Sequence, residues 1–114
     1  MTFWRKEVID FALDQETRRQ MEEQMDWIER DPGNARPYYH LAQFYRLCGR
    51  VDEARGLLLE AVRLEPSLAD AHVSLAEMYA IRGEYASAWE HARAAESNGV
   101  SAAVDLLKRH GIAE

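Results

Sequence analysis

The chain repeats itself at a fixed offset of 34 residues, and this recurrence limits its fold more than any other feature of the sequence. The matching positions are Asp31-Pro32 with Glu65-Pro66, Leu41 with Leu75, Ala42 with Ala76, Tyr45 with Tyr79, Gly49 with Gly83, Ala54 with Ala88, and Ala61 with Ala95. A fixed period of this length indicates a repeat architecture, in which each unit buries its apolar face against the next unit.

Each repeated unit is predicted to contain two helices. Tyr38, Leu41 and Tyr45 follow the three- and four-residue spacing of one helical face. Gly49 then ends this helix, because glycine readily adopts the left-handed conformation found at helix C-termini. A second apolar face runs over residues 51–62, and Pro66 ends it because proline disfavours helical geometry in the residue before it.

The composition also favours helices over strands. The chain holds 17 Ala and 11 Leu, which are good helix formers, against 12 β-branched residues, which prefer strands. The apolar share of 47% is ordinary for a folded domain, and 114 residues fit one domain. An all-α single domain is the expected class.

The repeated positions resemble those of the tetratricopeptide repeat family, whose unit is a 34-residue pair of helices. With units beginning at Ala35 and Ala69, the family positions hold Tyr38, Leu41, Ala42, Tyr45, Ala54, Leu58, Ala61 and Pro66, and then His72, Leu75, Ala76, Tyr79, Ala88, Ala92 and Ala95. The resemblance implies an all-α superhelix of about three helix pairs plus a C-terminal capping helix. Its units would occupy residues 1–34, 35–68 and 69–102, with the capping helix at 103–114.

Residues 1–34 match the repeat less well than the later units. Trp4, Phe11 and Trp27 fall on family positions, but Gln15 replaces the turn glycine. We favour a third, degenerate helix pair, while an unrelated N-terminal helix is the alternative. The polar stretch of residues 14–20 is then either a turn or the exposed part of one longer helix.

Charge and motif content exclude several classes of function. A net charge of −6 without a basic run disfavours nucleic-acid binding, because such a surface repels phosphate backbones. The first residues lack the unbroken apolar stretch of a signal peptide, and no apolar run is long enough to span a bilayer. One cysteine, Cys48, cannot form an internal disulfide, so a reducing cytoplasm is the expected location.

Few residues are candidates for chemistry. His40, His72, His91 and His110 form no HExxH or similar ligand pair, so we expect no metal and no cofactor. His72 is expected to pack in the core, and Cys48 to be buried at a helix end rather than act as a catalytic thiol. No phosphate-binding loop or serine elbow occurs. A non-enzymatic protein is expected, with a metal-dependent enzyme using the histidines as a remote alternative.

The family resemblance places a binding groove on the first helix of each unit. Carried over by position, it implies the groove residues Arg5, Ile9, Arg36, Tyr39, Gln43, Arg46, Asp70, Val73 and Glu77. Arginines lie in the first two units and carboxylates in the third, so a bound peptide would be acidic towards one end and basic towards the other. The expected function is an adaptor that binds a partner protein or peptide. The alternative is an ordinary solvated face.

The N-terminus offers a second candidate surface. Phe3, Trp4 and Phe11 provide more apolar bulk than a capping helix needs, so they could drive formation of a homodimer. Alternatively, Met21, Met25 and Ile28 of the same chain cover them.

Overall fold

The computed structural model describes the backbone of residues 3–114 and the side chains from residue 15 onward. This part of the chain forms six helices, namely α1 (Phe3–Arg30), α2 (Ala35–Leu47), α3 (Val51–Leu64), α4 (Ala69–Ile81), α5 (Tyr85–Ser97) and α6 (Ala102–Arg109). The expected all-α, repeat-like class is confirmed. None of the described helices has the length and apolar character needed to cross a membrane.

Two helix pairs, α2–α3 and α4–α5, reproduce the 34-residue recurrence. The first helices begin at Ala35 and Ala69, and each ends two residues before a glycine with positive φ, +78° at Gly49 and +79° at Gly83. Only glycine takes this conformation without strain, which is why it ends both helices. Pro66 follows the end of α3 as expected.

The first unit departs from the expectation of a third helix pair, because α1 is one continuous helix of 28 residues. No glycine or proline occurs between residues 3 and 30, so nothing in this segment breaks the helix. Ion pairs also bridge the place where a turn was expected. Arg19 contacts Glu16 at 2.7 Å and Glu23 at 2.5 Å, one helical turn away on either side.

Small residues bring the paired helices close together. Ala42, Ala54 and Ala61 have no more than a trace of exposed surface, and they pack around the fully buried Leu58 between α2, α3 and α4. Alanine at such contacts lets helix backbones approach, and larger side chains fill the remaining space. This core joins the first helix pair to α4, mainly through α3.

A second core holds α6 against α4 and α5. Trp89 is buried among Val104 and Leu107 of α6, and its indole Nε1 donates to the carbonyl oxygen of Ile112 at 3.2 Å. Ser101 precedes α6, where its hydroxyl donates to the Asp105 carboxylate at 3.2 Å and caps no backbone N–H. The terminal helix therefore covers the end of the last pair through its apolar face.

Candidate functional site

Polar side chains join the first helices of the two pairs, forming a surface that we call the α2–α4 face. Gln43 Nε2 donates to Ser74 Oγ at 3.2 Å, and Arg46 Nη2 lies 3.5 Å from Glu77 Oε2. Three of the groove residues expected from the sequence, Gln43, Arg46 and Glu77, therefore meet across α2 and α4.

Tyr39 lies at the N-terminal end of this face. Its half-buried ring makes an edge contact with exposed His40, with ring centres 5.4 Å apart. Burial, followed by the nearby Asp70 carboxylate, raises the pKa of Tyr39, so its phenol stays protonated at neutral pH. Asp70 and Arg36 are exposed, whereas Val73 is half-buried against the second core.

Two large apolar residues of the α2–α4 face were missed in the sequence analysis. Leu47 is 82% exposed and Ile81 is 81% exposed, and they end α2 and α4 at the same place in the repeat. The signal was present in the sequence, because the two residues are 34 positions apart like the core pairs. Leu47 and Ile81 were not selected as surface residues because large apolar residues are usually assigned to the core.

A cleft opens beside each of these side chains. The α2 cleft, of about 320 Å³, is lined by Gln43, Arg46 and Leu47. The α4–α6 cleft, of about 430 Å³, is lined by Glu77, Ala80, Ile81, Tyr85, Leu106, Leu107, His110 and Ile112. The second is therefore built by the terminal helix together with α4.

The remaining groove and end-face candidates lie outside the described side chains. They are Arg5, Ile9, Phe3, Trp4 and Phe11, all in the first turns of α1. Their roles in a groove or in self-association stay predictions.

The histidines include one close pair. His72 is buried, as expected, and its Nδ1 lies 3.0 Å from Nδ1 of His91, while its Nε2 lies 2.8 Å from the carbonyl oxygen of Pro66. His91 also stacks on Tyr79, with ring centres 5.6 Å apart. Among the described side chains, no group of three His, Cys, Asp or Glu residues is arranged to hold a metal ion.

The expectation that Cys48 is buried is wrong, because its side chain is exposed. It is the C-cap residue of α2, in the short connection to α3. Such connections run over the surface, and this one leaves the thiol beside a shallow cleft with Arg18 and Arg50.

Comparison with known proteins supports the repeat assignment. Residues 25–56 match the family model of the tetratricopeptide repeat, a segment that covers the end of α1, all of α2 and the start of α3. No curated protein matches the chain. The matched segment ends inside a helix pair that recurs 34 residues later as α4–α5, so this part of the chain is similar to the tetratricopeptide repeat.

Proposed function

We propose that this chain is a protein–protein interaction module, without catalysis of its own, that binds a peptide segment of a partner protein on the α2–α4 face. Tetratricopeptide repeats generally serve as interaction scaffolds, which supports the broad role. The observation that carries the proposal is the exposure of Leu47 and Ile81, each above 80%, at equivalent ends of adjacent helices.

A single exposed leucine needs no explanation, because much of any protein surface is apolar. Two large side chains at equivalent positions, each beside a cleft, form a more specific arrangement. Burying them against a partner would remove apolar surface from water, at about 25 cal/mol per Å². The surrounding Tyr39 and Arg46 belong to the residue types that most often act as interface anchors.

The polar part of the face supports orientation of a bound segment. Arg46 and Glu77 are 26% and 38% exposed, so each keeps hydrogen-bonding capacity beyond their mutual contact. A guanidinium can donate to peptide carbonyls, and a carboxylate can accept from peptide N–H groups. The single cysteine is consistent with a reducing compartment, and we propose a cytoplasmic location.

A double substitution, Tyr39→Ala with Arg46→Ala, tests the proposal. Immobilised wild-type chain is used to capture partners from a lysate of the source cells, and the bound proteins are quantified by mass spectrometry. A partner should be depleted from the double variant but retained by the control Leu59→Ala with Arg63→Ala on α3. Helicity measured by circular dichroism should be equal in all three proteins. Equal capture by both variants would refute the α2–α4 face as the binding surface.

A second candidate function is self-association through α1. This helix has 28 residues, or about 42 Å, whereas its neighbour α2 has 13, or about 20 Å. Met25 and Trp27 of α1 are about 40% exposed, so α1 carries large apolar side chains at its surface. If this surface forms a homodimer, a charged substitution at Trp4 or Phe11 should give a monomer in sedimentation equilibrium. An unchanged sedimentation profile would remove this candidate.

A further inference from the structure

The chain folds back after α6, and residues 111–114 lie across α5 as a short segment that we call the strap. Gly111, with φ +69°, turns the chain directly after the C-cap residue of α6. The strap then contacts Trp89 and Arg93, which lie one helical turn apart on α5. It is therefore held by the second helix of a pair, whereas the α2–α4 face is built from the first helices.

Three kinds of contact hold the strap on α5. The indole Nε1 of Trp89 donates to the carbonyl oxygen of Ile112 at 3.2 Å, and the Ile112 side chain is half-buried against the second core. Arg93 Nε donates to Glu114 Oε2 at 3.0 Å, and Arg93 Nη2 donates to Oε1 of the same carboxylate. The guanidinium also lies over the Trp89 ring, 5.2 Å from its centre. Together these groups recognise an apolar side chain, a main-chain carbonyl and a carboxylate.

The repeat itself does not require a tryptophan and an arginine at these positions. The equivalent positions of the first helix pair, 34 residues earlier, hold Arg55 and Leu59. Packing against α6 accounts for the Trp89 ring, but Arg93 belongs to neither hydrophobic core. The carboxylates that Arg93 holds are therefore the contacts that explain this arginine.

The strap is weakly held, so another segment can replace it. The side chains of Arg93 and Glu114 are 41% and 51% exposed, and an ion pair this exposed contributes little because water competes for both charges. Arg93 keeps a partner when the strap leaves, since it also contacts Glu96 at 2.9 Å. A cleft of about 320 Å³ beside the strap, lined also by Lys108, gives an incoming segment room to enter.

The charge around the strap favours an acidic ligand. Arg93, and more weakly Lys108, lower the pKa of Glu114 below its ordinary value, so this carboxylate is ionised at neutral pH. Glu96 offsets part of this positive charge. The net charge of −6 slows the approach of an acidic segment, but Glu114 itself shows that the site accepts a carboxylate once contact is made.

We propose that Trp89 and Arg93 form a second binding site, for an acidic segment of a partner protein that carries a large apolar side chain two positions before a carboxylate. The strap, in which Ile112 and Glu114 have this spacing, occupies the site as an internal ligand until the partner segment displaces it. This inference goes beyond the proposed function, because the site is built by α5 rather than by α2 and α4 and binds a different segment.

Nuclear magnetic resonance of the full, isotope-labelled chain tests this inference, with the indole N–H signal of Trp89 as the reporter. The probe is the peptide acetyl-Gly-Ile-Ala-Glu-amide, which copies the strap. The double variant Ile112→Ser with Glu114→Gln should shift the indole signal by releasing the strap, and the peptide should return the signal towards its wild-type position. In the wild-type chain the peptide should instead shift the backbone signals of Gly111 and Ala113. This displacement should need roughly tenfold more peptide, because the strap already occupies the site.

Variant peptides and proteins test the charge and the apolar side chain separately. The peptides acetyl-Gly-Ile-Ala-Gln-amide, without the carboxylate, and acetyl-Gly-Ser-Ala-Glu-amide, without the apolar side chain, should each bind the double variant roughly tenfold more weakly. Adding Arg93→Gln to the double variant should abolish the rescue. The matched control Arg63→Gln, at an exposed arginine of α3 that also pairs within its own helix, should leave the rescue unchanged. Glu114→Gln alone changes only an exposed carboxylate, so it gives the same comparison if the double variant unfolds.

Each outcome bears on one part of this inference. An indole signal that the peptide does not move, or that the glutamine peptide moves equally, would overturn the acidic ligand. Equal peptide affinity for the wild-type chain and the strap variants would overturn the strap as an internal ligand. A wild-type dimer in sedimentation equilibrium that Glu114→Gln converts to a monomer would identify the strap of a second copy as the occupant and overturn binding of a partner protein. The proposed function is decided separately, because none of these results depends on the α2–α4 face.

Discussion

Protonation of His91, which contacts His72, should weaken the packing of α5 against α4. The carbonyl oxygen of Pro66 only accepts hydrogen bonds, so His72 Nε2, at 2.8 Å, carries a proton. In the neutral pair His72 Nδ1 is then the acceptor, and His91 Nδ1 donates to it across 3.0 Å. An added proton goes to Nε2 of His91 and leaves this bond intact, so its cost is that of placing a positive charge on a half-buried ring beside His72.

The pH range of the effect follows from the direction of the His91 shift. Burial, followed by the adjacent His72 ring, lowers the pKa of His91 below its ordinary value of about 6.5, and the Glu90 carboxylate only partly opposes this. As the pH falls through about 6.5, the unfolded chain takes up a proton that the folded chain still rejects. The free energy of unfolding is therefore unaffected by His91 above about pH 7 and falls as the pH drops below about 6.5.

The magnitude has an upper limit set by proton linkage. One proton difference between the unfolded and folded chains changes the free energy of unfolding by at most about 1.4 kcal/mol per pH unit. Replacing His91 with glutamine removes this titration while keeping an amide that can donate to His72. The variant also loses the stacking on Tyr79, so we expect it to be about 0.5–1.5 kcal/mol less stable at neutral pH.

Urea unfolding followed by circular dichroism between about pH 7.5 and about pH 5.5 measures this slope, in a range where carboxylates titrate little. Wild-type stability should fall across the range, and His91→Gln should show a much smaller fall. His40→Gln is the matched control, because His40 is exposed, and it should keep the wild-type slope. Parallel curves for wild type and His91→Gln would refute the linkage to this pair.

Three further predictions concern the scaffold. Gly49→Ala should destabilise the chain by about 1 kcal/mol because its φ is positive, whereas Gly56→Ala, inside α3 with open space around it, should stabilise it by up to about 1 kcal/mol; thermal unfolding distinguishes the signs. Leu58→Ala should cost about 2–5 kcal/mol in urea unfolding because Leu58 is fully buried, against less than about 1 kcal/mol for the 40%-exposed Leu59→Ala. Cys48 should react with a maleimide as fast in the native chain as in urea, and protection of the native thiol would contradict its exposure.

Helix ends and core contacts could be predicted because each depends on one residue type in a local setting. Gly49 and Gly83 end α2 and α4 with positive φ, and Ala54 and Ala88 are fully buried where helices approach. Glycine is favoured where φ is positive, and alanine is favoured where helices approach closely, so both features can be read from the residue type.

Side-chain contacts between two helices could not be predicted in the same way. His91 follows His72 by 19 positions, and no spacing rule within one helix relates them. The first unit was difficult for another reason. Gln15 stands where the other units have a helix-ending glycine, so no residue there ends the helix. Arg19 instead forms ion pairs with Glu16 and Glu23, and these pairs favour the continuation of α1.

Comparing the burial of residues 34 positions apart distinguishes those that pack in the core from those that could contact a partner. Several identical residues that recur, such as Leu41 and Leu75, are buried in both units, and packing explains their recurrence. Some positions that differ between the units are partly exposed, as with Gln43 and Glu77. Leu47 and Ile81 break this pattern, because they recur as large apolar residues and yet are more than 80% exposed. Packing within the chain does not account for them, so their recurrence is the strongest structural reason to place a partner on the α2–α4 face.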